Sequence, residues 1–203
     1  MNAAFRLVIP VAGALLASSA FAQTPLLTTS ADMRTHGTTL NLFAGGVTAS
    51  RDAGAAAGGA IGWELTPRFA LEGSGAWLEW GQQSHAFTAS LTAHAALLTS
   101  RPVVPFLTAG MGVYHASFDR ADTGLPGFYR RRMGTAGAGP NRAISFVDPT
   151  LVGGGGLEMF VGRHWSVRPE VLANVVMRDS RRFVATTGVV RLAYHFEDHP
   201  VTP

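Results

Sequence analysis

From Thr38 to Phe196 the chain alternates between apolar positions and polar or small ones with a period of two. In segment 38–50, Leu40, Leu42 and Ala44 share one face, and Asn41, Phe43 and Gly45 the other. Segment 55–66 sets Ile61, Trp63 and Leu65 against Ala60, Gly62 and Glu64, and 69–80 sets Phe69, Leu71 and Trp77 against Glu72, Ser74 and Ala76. Segment 85–99 sets Phe87, Leu91 and Leu97 against Thr88, Ser90, Thr92 and His94. In 104–118, Leu107, Met111 and Val113 oppose Thr108, Gly110 and Tyr114, and in 150–162, Leu157, Met159 and Val161 oppose Gly156, Glu158 and Phe160. Segment 165–177 sets Trp165, Val167, Val171 and Val175 against Ser166, Arg168, Glu170 and Asn174. Segment 183–196 sets Val190, Leu192, Tyr194 and Phe196 against Val189, Arg191, Ala193 and His195. This period predicts eight β-strands. Each is long for a soluble strand, but a tilted strand needs about 9–11 residues to cross a bilayer.

The Ala-rich stretch 85–98 has helical propensity, yet its apolar residues recur at every second position rather than at three and four. The expected fold is therefore all-β, an eight-stranded antiparallel up-and-down barrel. Three features place the apolar face outside, toward lipid, and the polar face inside. The polar face is mostly Gly, Ala, Ser and Thr, which fit a narrow lumen. Its charges carry both signs, so they can pair. Trp63, Phe69, Trp77, Trp165, Tyr194 and Phe196 fall near strand ends on the apolar face, as interfacial girdles do. An even strand number leaves both ends of the chain on the periplasmic side. The short turns at 67–68, 101–102 and 163–164 then face the periplasm. The connections at 51–54, 81–84, 119–148 and 178–182 face outward.

Composition sharpens this reading. Only 14% of residues are charged, few for the solvent faces of a soluble barrel. The chain has no cysteine, which excludes disulfides, thiolate metal sites and a thiol nucleophile. The net charge of +3 is too small for its length to indicate nucleic-acid binding. Residues 1–22 read as a signal peptide: Arg6 precedes an apolar run at 7–17, and Ala20-Phe21-Ala22 is a small-x-small cleavage site. Residues 23–37 read as a periplasmic leader, 38–196 as the barrel and 197–203 as a periplasmic tail. The expected location is the outer membrane, with cleavage after Ala22.

The runs Pro105-Phe106-Leu107-Thr108-Ala109-Gly110-Met111-Gly112, Gly155-Gly156-Leu157-Glu158 and Ser166-Val167-Arg168-Pro169-Glu170-Val171, with the closing strand 190–196, carry a resemblance. The chain resembles the small outer-membrane β-barrels of Gram-negative bacteria, of the OmpA transmembrane-domain and OmpX type. The resemblance covers 38–196. It implies recognition of the last strand by the barrel-insertion machinery. That family ends on its terminal aromatic, whereas here seven residues follow Phe196. No peptidoglycan-binding domain follows, so cell-wall anchoring is not carried over.

Three groups of residues are candidates for function. Glu64, Glu72, Glu158, Arg168, Glu170 and Arg191, with His94, fall on the lumen face, where they are expected to pair as a plug rather than line a channel. Arg120, Arg130, Arg131, Arg132 and Arg142 crowd the long connection, and guanidinium forks suit the phosphates of lipopolysaccharide. His115 and Ser117 sit two apart on the outward face. They look somewhat like the dyad of outer-membrane lipid A deacylases, but Phe118 stands where that family has Asn. The expectation is a monomeric, non-catalytic barrel without cofactor or metal, in a structural or surface-interaction role. A lipid A acyl-ester hydrolase and a narrow passive channel are the rivals.

Overall fold

The computed structural model describes residues 37–49, 52–81, 84–98, 103–119, 143–162, 164–178 and 181–196. The strands are β1 (Thr38–Ala49), β2 (Asp52–Glu64), β3 (Phe69–Gly81), β4 (Ser84–Ala96), β5 (Val103–Asp119), β6 (Ala143–Phe160), β7 (Trp165–Arg178) and β8 (Arg181–His195). Each pairs antiparallel with its neighbour in sequence, and β8 closes on β1, so the eight form one barrel without a free sheet edge. Closure satisfies the backbone internally, which a bilayer demands of any strand that crosses it.

Alternation decides what faces where. Leu42, Leu91, Leu107, Met111, Val171 and Leu192 point outward and are exposed, while Asn41, Glu72, Thr92, Thr150, Glu170 and Arg191 point into the lumen and are buried. The girdle residues Trp63, Phe69, Trp77, Trp165 and Phe196 are also exposed. This is the reverse of a soluble barrel.

Near the end that carries the β5–β6 connection, the sidedness switches back. Glu79, His85, His115, Ser117, Ser145 and Arg182 fall on the outward face, while Trp80, Ala86, Tyr114, Ala116, Phe118 and Phe183 are buried inside. Those side chains, with Val47, Leu78, Val176 and Ala185, make a compact apolar core. Trp80 is the extra residue of a β-bulge: Glu79 pairs with His85 and Gly81 with Ser84, leaving Trp80 unmatched. Its indole Nε1 donates to the Tyr114 hydroxyl at 3.1 Å, so the polar tip of the buried ring is satisfied.

Several boundaries differ from the sequence expectation. Residues 52–54, expected in a turn, open β2. The long connection is shorter than 119–148: Asp119 ends β5, and 143–148 belong to β6, paired from Asp119↔Ala143 to Tyr114↔Asp148. Asp148, expected as the last residue of that connection, lies within β6, and Pro149 after it lies beyond the last β6–β7 pair, Thr150↔Val176, where a missing N–H is tolerated. Arg178, also expected in a turn, ends β7 and pairs with the buried Asp148 at 3.1 Å. The signal peptide, the leader, the tail and most of the long connection lie outside the described residues.

Candidate functional site

The polar half of the lumen, toward the short turns, gathers Glu64, Glu72, Glu158, Arg168, Glu170 and Arg191 into two hydrogen-bonded groups. In the upper group, Arg168 of β7 and Arg191 of β8 are direct cross-strand partners. Two like charges so placed repel. Glu72 reaches between them from β3 on the facing wall. Its Oε1 accepts from Arg191 Nη1 at 2.9 Å and its Oε2 from Arg168 Nη1 at 3.2 Å. The second carboxylate, Glu170, accepts from Arg191 Nε. Asn41 Nδ2 donates to Glu72 Oε2 at 3.4 Å.

Each guanidinium also lies over a ring: Arg191 over Phe43 at 4.3 Å, Arg168 over Phe106 at 4.9 Å. Gly58 makes room for the first of these. A Cβ there would sit 2.6 Å from Phe43 Cζ and would also strike the Gly75 carbonyl. Arg168 Nε and Glu170 Oε1 are buried with no partner among the described protein atoms.

His94 belongs to this group. Its Nδ1 lies 3.1 Å from Arg168 Nη2, which can only donate, so Nδ1 accepts. Nε2 therefore carries the proton, and faces Thr92 Oγ1 at 3.1 Å and Thr108 Oγ1 at 3.5 Å. The upper group thus balances two carboxylates against two guanidinium ions with His94 neutral.

The lower group is built on His195, the last residue of β8. Its Nδ1 lies 3.2 Å from Glu64 Oε1 of β2, and its Nε2 lies 3.0 Å from Ser166 Oγ of β7. Ser166 donates to Glu158 Oε1 of β6 at 3.0 Å. A serine, an imidazole and a carboxylate in this order look like a nucleophile, base and orienting acid. The resemblance ends at the serine. Its one proton is committed to Glu158, its side chain is fully buried, and the strand amides around it are spent in the ladder. His195 and Ser166 escape sequence analysis as a site because their partners come from other strands, Glu158 from β6 and Glu64 from β2. That pairing depends on strand tilt and not on spacing along the chain.

Two cavities of about 30 Å³ flank the upper group. The lower is lined by Glu64, Glu72, His94, Glu158, Arg168 and His195, the upper by Phe43, Ser74, Ser90, Asn174, Thr187 and Arg191. Each has room for about one or two waters. Above the upper cavity stands the apolar core.

His115 and Ser117 share the outward face, as expected, but do not bond each other. His115 Nε2 hydrogen-bonds Ser145 Oγ of β6 at 2.8 Å, so its partner is not Ser117. Ser117 pairs in register with His85 on one side and Ser145 on the other. The His85 ring stacks on Trp77 at 4.5 Å. No group of three or more metal-ligating side chains is found among the described residues. Arg120, Arg130, Arg131, Arg132 and Arg142 lie outside the described residues.

No protein-family model matches the chain, and no curated protein matches it. Solved structures do resemble it. The N-terminal β-barrel domain of Pseudomonas aeruginosa OprF is 14% identical, over 80% of this chain and 100% of that one, with a TM-score of 0.54. Neisserial surface protein A is 11% identical, over 78% of this chain and 96% of that one, with a TM-score of 0.58. The chain has the fold of the small eight-stranded outer-membrane β-barrels.

Proposed function

We propose that this protein resides in the outer membrane as a monomeric, non-catalytic barrel with a structural or surface-interaction role and a lumen closed to ions. The observation that carries this is the double inversion of sidedness along the strands. Over the middle of the barrel, apolar side chains face out and ion pairs face in. At the end with the long connection, polar side chains face out and an apolar core faces in. Lipid around the first zone and water around the second match both patterns. The end with short turns then faces the periplasm and the end with the long connection faces outward. One of the similar solved structures is a surface protein by name, which agrees with a surface role.

Membrane fractionation tests the reading. The protein is expected to stay with outer membranes after carbonate washing and to migrate differently on gels before and after heating. Recovery in the soluble periplasmic fraction would overturn it.

The arginines of the long connection supply the surface chemistry. Arg130, Arg131 and Arg132, with Arg120 and Arg142, suit the phosphates of lipopolysaccharide in the outer leaflet. Exposed charge contacts are screened over about 8 Å at physiological salt, so binding is expected to be weak and to fall as salt rises. Replacing Arg130, Arg131 and Arg132 together should remove that salt dependence. Equal binding by the parent and the variant would take this role from the loop. The barrel-insertion machinery is the other expected partner, acting on the closing strand.

A further inference from the structure

We propose that the upper outward wall of β3 to β6 is a binding site for the sugar headgroup of an outer-leaflet glycolipid, whose acyl chains lie on the apolar wall below it. The inference deepens the outer-membrane reading above and rests on it. Three register rows build the wall. The top row is Glu79, His85, Ser117 and Ser145, each the cross-strand neighbour of the next. Beneath it run Trp77, Phe87, His115 and Val147, and beneath those Gly75, Ala89, Val113 and Pro149. Residues two apart on a strand share a face, so all three rows face outward. Hydrogen-bonding groups thus stand over aromatic rings, and the rings stand over apolar wall. Adjacent strands lie about 4.8 Å apart, which makes the face about 14 Å wide. In the placement proposed above, this is the level at which headgroups meet the barrel.

The polar groups hold one another in position. The His85 ring stacks on Trp77 at 4.5 Å, with 16° between the planes. Trp77 Nε1 donates to Glu79 Oε2 at 3.4 Å. His115 Nε2 and Ser145 Oγ are 2.8 Å apart. The rings still reach the outside: Trp77 is 47% exposed and Phe87 42%. A ring pinned by its neighbours and open on its outer side loses little freedom when a ligand settles on it.

Chemistry selects the ligand. A sugar ring presents C–H groups on its face and hydroxyl groups around its edge. Open aromatic faces suit the first, and a carboxylate, two imidazoles and two hydroxyl groups suit the second. Phosphate suits this wall badly. β3 to β6 contain no arginine or lysine, and the Glu79 carboxylate in the top row repels an anion. The phosphates of the same glycolipid fall to the arginines of the connection that joins β5 to β6. A soluble glycan would use only the upper two rows, whereas a ligand with acyl chains uses all three. The other hairpins carry no such set: β1–β2 ends outward in Thr48 and Ala53, and β7–β8 in Met177 and Arg182.

The test follows backbone amide signals of Trp77, His85, Ser117 and Ser145 for the protein in detergent micelles. Membrane location, which fractionation decides, does not enter this readout. Lipid A stripped of its phosphates is expected to shift all four signals and to saturate. Phosphatidylglycerol, with a phosphate and no sugar ring, should leave them in place. So should the acyl-free glucosamine disaccharide at the same concentration. Trp77→Leu is expected to weaken the response to the stripped lipid A about fivefold, the scale of one aromatic contact. Replacing Arg130, Arg131 and Arg132 together should leave that response unchanged. Four still signals would overturn the site. An equal response to phosphatidylglycerol would assign the wall to phosphate, and an equal response to the free disaccharide would assign it to a soluble glycan; either overturns the proposal. Wild-type binding by Trp77→Leu, or loss of binding in the arginine variant, would overturn it too. The wild-type titrations stand without either variant.

Discussion

Arg168 and Arg191 sit side by side on adjacent strands, and one carboxylate from the facing wall keeps them there. Removing a single member of a buried ion group leaves its partners charged and unpaired, at a cost of about 3–5 kcal/mol. Glu72→Ala is therefore expected to lower stability by about that much in urea unfolding from vesicles. A loss near zero would mean that water reaches both guanidinium ions. Gly58→Ala acts on the same group from behind. The added methyl meets the Phe43 ring beneath Arg191, and overpacking of this kind costs about 1–3 kcal/mol. At the outer surface, His115 is bound to Ser145, and the described residues place no carboxylate in contact with its ring. A serine hydrolase needs an activated nucleophile and an oriented base. Ser117→Ala and Ser145→Ala are both expected to leave lipid A composition unchanged by mass spectrometry. An acyl chain retained in either variant and lost in wild type would establish the hydrolase.

At the scale of the strand, one face is fitted to lipid and its reverse to the lumen, so a charge on the wrong side tests the assignment directly. Leu91 is exposed near the middle of β4, and Leu192 is exposed three residues before the end of β8. Arginine at either position should cost about 2–4 kcal/mol if it meets the bilayer midplane. Unchanged folding into vesicles by both variants would show that this face does not meet lipid. Strand number and sidedness were legible because alternation is a local property, repeated in every strand. The ends were less legible. Asp148 and Pro149 carry turn chemistry, yet the ladder runs through them because β5 continues to Asp119 and gives β6 a partner. Arg178 reads as a loop charge until Asp148 is seen buried opposite it. Which lumen residues were charged was equally plain from the pattern. Which of them would meet was not, since Glu72 finds its arginines across the barrel and Glu64 finds a histidine at the far end of the chain.

For the whole molecule, the lumen has two storeys with different physics. The lower is a lattice of ion pairs and hydrogen bonds, with two cavities that each hold about a water or two. The upper is apolar, filled by Val47, Leu78, Trp80, Tyr114, Phe118 and Val176. An ion could in principle pass the lower storey by exchanging partners, since carboxylates and guanidinium groups can replace lost hydration. In the upper storey the one ion pair described, Asp148 with Arg178, is at the wall, and an ion stripped of water among the apolar side chains meets a large desolvation penalty. Apolar constrictions block conduction on this basis even in channels wider than this one. The purified protein is therefore expected to show no stable ohmic openings in planar bilayers. The two storeys also make separable predictions. Glu72→Ala and Arg168→Ala, which break only the lower storey, should leave the current at baseline, because the apolar core still stands above it. Opening should require a breach of that core as well, for instance Trp80→Ala with Phe118→Ala in the Glu72→Ala background. Steady current from Glu72→Ala alone would show that the ion pairs are the gate and the apolar core is not a seal.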